Sequence, residues 1–178
     1  MAKIELEQGK YGEVFLEKST STIFQRELIP QLQSELVLTY GPEVQQKLYN
    51  VARTNASAVS KLLANAITGV LGMLDAKRLA IELLKQFPKR GYGEAELVAF
   101  DSTATRFVVR IYNNFNSKGI TNPEHFCAVA AGILAGGAFV VTRREMDAIE
   151  TKCVARGDAY CEFEVVPSET AGMVHTQA

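Results

Sequence analysis

Apolar residues recur at helical spacing through the first half of the chain. Val44, Leu48, Val51, Ala52, Ala56, Val59, Leu62, Leu63 and Ala66 keep a 3.6-residue period and predict one long amphipathic helix, broken at Gly69. A helix over 22–40 precedes it, with Pro30 as a kink or helix boundary, and Gly41-Pro42 separates the two. A third helix is expected over 72–87, stopping before Pro88 and the Lys89-Arg90-Gly91-Tyr92-Gly93 loop. The period then changes to two. Strands are predicted over 94–100 and 104–112, with Phe107, Val109 and Ile111 on one face and Arg106 and Arg110 on the other.

After a polar loop over 113–122, Pro123 is expected to open a helix carrying Cys127, and a hairpin follows over 139–166. Residues 3–17 alternate loosely around Gly9 and Gly12 and suggest a short hairpin or arm. Helices first, then an antiparallel sheet with one late helix, is the pattern of an α+β domain. The division expected is a single domain over 1–166 with an N-terminal arm over 1–20, and a small, polar tail over 167–178.

Composition narrows the function classes. At 178 residues, 47% hydrophobic and 22% charged, the chain suits one globular domain. A net charge of −1 without a Lys/Arg block gives no footprint for nucleic acid. Residues 1–7 contain no apolar core of a secretory signal. The longest uncharged run, 126–142, holds three glycines and Cys127 and reads as a core helix rather than a transmembrane span. A cytoplasmic, reduced chain is expected.

All three cysteines fall between positions 127 and 161. A loop at Arg156-Gly157-Asp158 would pair Ala155 with Ala159 and set Cys153 opposite Cys161, with Cβ atoms about 4.5–5.5 Å apart. Two thiolates on one tetrahedral zinc need such a separation, and Cys127 and Glu150 can complete the shell. A Cys153–Cys161 disulfide or three buried structural thiols fit the spacing as well. Gly91-Tyr92-Gly93 precedes a strand and reads as turn chemistry, not a phosphate loop. His125 reads as a surface residue at a helix start. No G-x-S-x-G or H-E-x-x-H motif supports hydrolysis.

The run Cys127-Ala128-Val129-Ala130-Ala131-Gly132-Ile133-Leu134-Ala135-Gly136, with Glu150-Thr151-Lys152-Cys153 and Gly157-Asp158-Ala159-Tyr160-Cys161-Glu162-Phe163, resembles the 4-vinyl reductase domain family over 122–166. Thr142-Arg143-Arg144 stands where the family pattern has a glycine. The resemblance implies helices on one face of an antiparallel sheet, as in haem–NO-binding and trafficking-complex subunit folds. It implies zinc held by Cys127, Glu150, Cys153 and Cys161. Such a closed four-ligand site is structural, and Glu150, the hardest ligand, would be the first released.

It also implies a homodimer through helical faces, here the 43–66 helix or its predecessor, and binding of a hydrophobic or aromatic molecule such as a hydrocarbon or tetrapyrrole, for sensing or transport. Candidate pocket residues are Tyr49, Phe107, Ile111, Phe126, Gly132 and Phe139. A scaffold or assembly factor acting through protein contacts is the alternative. A reductase ranks third, since no nicotinamide or flavin fingerprint is present.

Overall fold

The computed structural model describes residues 27–170 in full and, before them, the backbone of three short strands. Those strands, β1 (Leu6–Gln8), β2 (Val14–Leu16) and β3 (Ser19–Ser21), form an antiparallel sheet of their own in the order β1-β2-β3. Four helices follow: α1 (Leu28–Tyr40), α2 (Glu43–Leu71), α3 (Ala76–Leu84) and α4 (Gln86–Lys89). The main sheet comprises β4 (Glu94–Asp101), β5 (Arg106–Tyr112), β6 (Met146–Lys152) and β7 (Cys161–Pro167), and α5 (Ala128–Thr142) lies between β5 and β6 in the chain. Its order is β4-β5-β7-β6, antiparallel throughout. The α+β class expected from the sequence is the class observed.

On β5, Phe107, Val109 and Ile111 are buried, while Arg106 and Arg110 pair on the other face with Glu164 and Glu162 of β7. The buried side receives α5, whose small residues Ala128, Ala130, Ala131, Gly132, Ala135, Gly136 and Ala138 disappear among their neighbours. A helix apolar all round belongs inside a protein. Its outer neighbour is α2. A Cβ on Gly132 would come within 2.8 Å of Ala52 Cβ, and one on Gly136 within 2.9 Å of Ser57 N. These two glycines set how closely the helices approach.

Several elements differ from the sequence reading, and α2 is not broken at Gly69 but runs to Leu71, with Gly72 as its cap. The late helix starts at Ala128, not at Pro123, because the chain before it is tied into turns: Asn122 Oδ1 accepts the Glu124 N–H at 2.9 Å, and Cys127 is the N-cap residue. The helix then runs to Thr142 instead of yielding to a strand at Phe139. It ends on Arg143, in the left-handed region at φ 60°, where the family pattern has its glycine. The third helix starts only at Ala76, where Asp75 caps it by accepting the Arg78 N–H at 2.8 Å.

Ala155 and Ala159 do not pair. Val154–Arg156 is instead a 3-10 turn closed by Gly157 at φ 105°. Pro30 sits in the first turns of α1 and so marks its beginning; residues 22–26 of the expected helix, and the tail from 171 onward, lie outside the described residues.

Candidate metal centre and apolar cavity

The 3-10 turn brings the cysteines together. Cys153 C=O accepts the N–H groups of Arg156 and Asp158, and Asp158 Oδ2 accepts the Cys153 N–H at 2.7 Å. The β6–β7 ladder ends at Lys152 and Glu162, so Cys153 and Cys161 face each other one step beyond it. Cys127, at the start of α5, closes the triangle. Its Sγ lies 3.6 Å from Cys153 Sγ and 3.9 Å from Cys161 Sγ, and the Cys153–Cys161 separation is 4.0 Å. All three thiols are free and buried.

Glu150 reaches the cluster from β6, and the four candidate ligand atoms lie within 4.8 Å of one another. Its Oε2 accepts the Cys127 N–H at 3.0 Å, whereas the buried Oε1 has no hydrogen-bond partner. An unpartnered, buried carboxylate oxygen beside three sulfurs is a donor set that could hold a cation.

The protonation states agree. Burial pushes Cys127 well up, with hydrogen bonds to the other two sulfurs adding to it. Cys161 is pulled down to about 2 by hydrogen bonds from Cys127 and Cys153, helped by the Ser117 hydroxyl and the Val154 N–H. For Cys153 the Cys127 hydrogen bond works downward, but its bond to Cys161, burial and the Glu150 charge prevail and lift it to about 12. Burial lifts Glu150 to about 7. Three thiols thus share one negative charge, and further ionisation requires positive charge in their midst.

A set of buried polar side chains, absent from the sequence reading, holds the start of α5. Asn116, fully buried, accepts the Val129 and Ala130 N–H groups on Oδ1 at 2.9 and 3.1 Å and donates through Nδ2 to Gln33 Oε1 at 3.0 Å. Gln33, on α1, donates to the Phe126 carbonyl. His125 is 4% exposed, contrary to its reading as a surface residue, and its Nε2 lies 2.8 Å from the Asn116 carbonyl.

Away from the sulfurs lies a cavity of about 380 Å³. Leu48, Ala52, Ala56 and Leu63 of α2, Ala80, Leu83, Leu84 and Phe87 of α3–α4, and Leu97, Phe107, Val109 and Val165 of the sheet wall it, with Val129, Ile133, Gly137 and Val141 of α5. Val129, Ile133, Gly137 and Val141 form one i, i+4 stripe, and Leu134 and Ala138 line the cavity beside it. Asn55, Ser60, Gln86, Arg90 and Tyr92 contribute the polar edge, and no acidic residue lines it.

Of the six pocket candidates read from the sequence, Phe107 lines this cavity; the others do not. Ile111 is wholly enclosed in the core. Tyr49 donates its hydroxyl to Asp147 Oδ1 at 2.7 Å and accepts the Ala148 N–H at 3.3 Å, stitching α2 to edge strand β6. Phe126 directly precedes Cys127, and its carbonyl is the one that Gln33 binds. Phe139 lies on another side of α5, with Lys61 Nζ 5.3 Å from its ring centre. Gly132 faces the backbone of α2, so it leaves room for a helix and not for a ligand. The spacing Ala80, Leu83, Leu84, Phe87 is the signal available in the sequence for the opposite wall; which helix face meets it depends on tertiary packing.

The 4-vinyl reductase domain family matches residues 107–167. An uncharacterized protein of Methanocaldococcus jannaschii is 49% identical over 39 residues, and the match spans only 22% of this chain and 22% of that protein. The phenol-responsive sensory domain of the transcription activator PoxR, solved with phenol, is similar at TM-score 0.74 and 14% identity over 97% of this chain and 92% of that one. A trafficking protein particle complex subunit 3 from Naegleria fowleri, covalently bound to palmitic acid, is similar at TM-score 0.55 and 13% identity, over 80% and 95%. A vinyl-4-reductase family protein from M. jannaschii gives 0.51 and 18%, over 83% of each chain. At these identities the structural likeness establishes the shared fold.

The lifted Glu150 carboxyl has a consequence for the metal-free protein. Its folded value of about 7 exceeds the ordinary 4.5, so between these limits this carboxyl is protonated in the folded state and ionised in the unfolded one. Glu150 alone therefore favours mild acid, by up to about 3 kcal/mol between pH 5 and 7, but Cys161, ionised in the folded state and protonated in the unfolded one over this range, contributes the opposite slope. Urea melts of metal-free protein at pH 5, 6 and 7 measure this. The native slope should be shallow, Glu150→Gln should make stability rise more steeply with pH, and an unchanged slope in that variant would place its origin elsewhere.

Proposed function

We propose that this chain, whose residues 107–167 match the 4-vinyl reductase domain, is a zinc-stabilised binding protein for a hydrophobic or aromatic small molecule, acting as a sensor or carrier. The apolar cavity of about 380 Å³ between α2, α3, α5 and the sheet carries this reading. A dry cavity of about 150 Å³ admits benzene, so this one suits a ligand of one or two rings better than a tetrapyrrole. Burying roughly 200 Å² of such a ligand is worth about 5 kcal/mol before the costs of association. The likeness to a sensory domain solved with phenol, and to a subunit bound to palmitic acid, supports the same reading.

For the metal, zinc suits the donor set best. Zn–S bonds of about 2.3 Å at tetrahedral angles place sulfurs about 3.8 Å apart. The separations here, 3.6, 3.9 and 4.0 Å, bracket that value. Zinc would supply the positive charge that lets all three thiols ionise. With four protein ligands it would fasten α5 to the β6–β7 turn rather than act on a substrate.

Along α2, Leu62 is exposed, and Val51 and Val59, which are exposed while lining the cavity mouth, extend an apolar surface that supports a homodimer through that helix. It equally favours the alternative of a scaffold working through protein contacts.

Three measurements test these claims. Elemental analysis of freshly purified, reduced protein should give one zinc per chain, and Cys153→Ala or Cys161→Ala should lose it and melt at lower temperature. For the ligand, two α5 glycines should behave oppositely. A Cβ at Gly137 meets only Ser60 Oγ, at 3.5 Å, so Gly137→Leu should fill the cavity, keep zinc and weaken phenol or naphthalene binding by roughly tenfold or more in calorimetry. Gly132→Leu should destabilise the whole fold. Undiminished binding by Gly137→Leu would remove the cavity from consideration. Light scattering at micromolar concentration should give twice the chain mass, and a monomer would leave the α2 stripe to another partner.

A further inference from the structure

The corner between α2 and α3 exposes apolar side chains to an unusual degree. Val70 is 84% exposed, Leu71 55% and Met73 95%. The thirteen residues from Leu62 to Leu74 carry no charge, and exposed Lys77 and Arg78 follow within one turn of α3. The corner is rigidly made. Thr68 Oγ1 and C=O hold the end of α2 by bonding to Ala64 C=O and to the Gly72 N–H, Gly72 turns the chain at φ 78°, and Asp75 caps α3.

No single described helix is long and apolar enough to cross a membrane. Helix α2 and the α3–α4 stretch Ala76–Lys89, bent by 111° at this corner, together match a broken span by length and composition only.

From this we infer that the α2–α3 corner docks on an anionic lipid bilayer, with Val70, Leu71 and Met73 entering its interfacial layer and Lys77 and Arg78 meeting the head groups. Two observations favour a bilayer over a second copy of the chain. A partner helix covers one stripe, yet at 3.6 residues per turn Val70 and Leu71 stand about 80° and 180° around α2 from exposed Leu62. Apolar groups on all sides of a helix end suit a continuous apolar medium. The charge just beyond the tip is net basic, Lys77 and Arg78 against the single carboxylate of Asp75, which caps α3 by accepting the Arg78 N–H. Apolar insertion beside basic residues is how peripheral proteins hold to anionic membranes. The surface stands independently of the ligand reading; with it, Leu63 and Ala80, which line the cavity near the same corner, would give an apolar ligand a short route from bilayer to cavity.

Flotation of the full chain with phosphatidylcholine vesicles, with and without phosphatidylglycerol, tests the inference. The native chain should float with the anionic vesicles and less with the neutral ones. The combined variant Val70→Asp, Leu71→Asp, Met73→Asp should remain at the bottom with both, while keeping its metal content and melting temperature, since none of these side chains is buried. Lys77→Glu with Arg78→Glu should weaken binding to anionic vesicles by roughly tenfold or more and leave neutral ones unaffected. A native chain that floats with neither, or an aspartate variant that floats as well as the native chain, overturns the inference. So does an aspartate variant that halves the mass in light scattering when the native chain does not float, because the corner then faces a second copy.

Discussion

A helix buried on every side must find partners for its first N–H groups inside the protein, and α5 finds them in two side chains. Asn116 Oδ1 takes the Val129 and Ala130 donors, and Glu150 Oε2 takes that of Cys127. Neither acceptor belongs to the helix itself. Asn116 answers to Gln33 on α1, and Glu150 comes from β6. The position of α5 is therefore set by two elements distant in sequence that converge on its first turn. Each removal would leave a buried donor unpaired, at a cost of about 1–3 kcal/mol.

The Glu150 carboxylate also joins this cap to the sulfur cluster. One oxygen is engaged by the Cys127 N–H, while the other faces the three thiols without a partner. A cation there would pin the start of α5 to the turn after β6. The cavity lies along the same helix, through Val129, Ile133, Gly137 and Val141. The candidate metal centre and the cavity thus share a rigid wall without sharing a residue. A shift of the first turn would carry over into the i, i+4 stripe, since a helix moves as a unit.

Much of this is legible in sequence because it rests on period and spacing. The alternation of Phe107, Val109 and Ile111 needs only the pleat of one strand, and it is visible without knowing the partner strands. The pairing of Cys153 with Cys161 follows from spacing for a geometric reason that is only partly correct, since they do face each other but across a 3-10 turn wrapped around Cys153 rather than a simple hairpin loop; the full set with Cys127 and Glu150 comes from the family resemblance. The pocket walls are less legible. Choosing them requires the rotation of α5 about its axis, and aromatic content is silent on that. Phe139 is apolar and near the right elements, yet it points along a different side from Ile133. Asn116, Gln33 and His125 escape a sequence reading because a polar residue that caps a helix across the fold has no local signature.

Small residues on α5 show why composition alone misleads here. Gly132 and Gly136 lie on the side where α2 passes so closely that a methyl group would collide with its backbone. Gly137, one position further, projects toward the cavity and meets a single hydroxyl at 3.5 Å. The same residue type thus serves contact at two positions and leaves space at the third, and the rotation of about 100° between neighbours on a helix decides which. The 29 residues of α2 divide in a similar way: one side closes on those glycines, a flank that includes Val51 lines the cavity, and Leu62 faces outward. Such a helix cannot rotate to improve one contact without losing another, which is the physical reason that its register against α5 is fixed by residues as small as glycine.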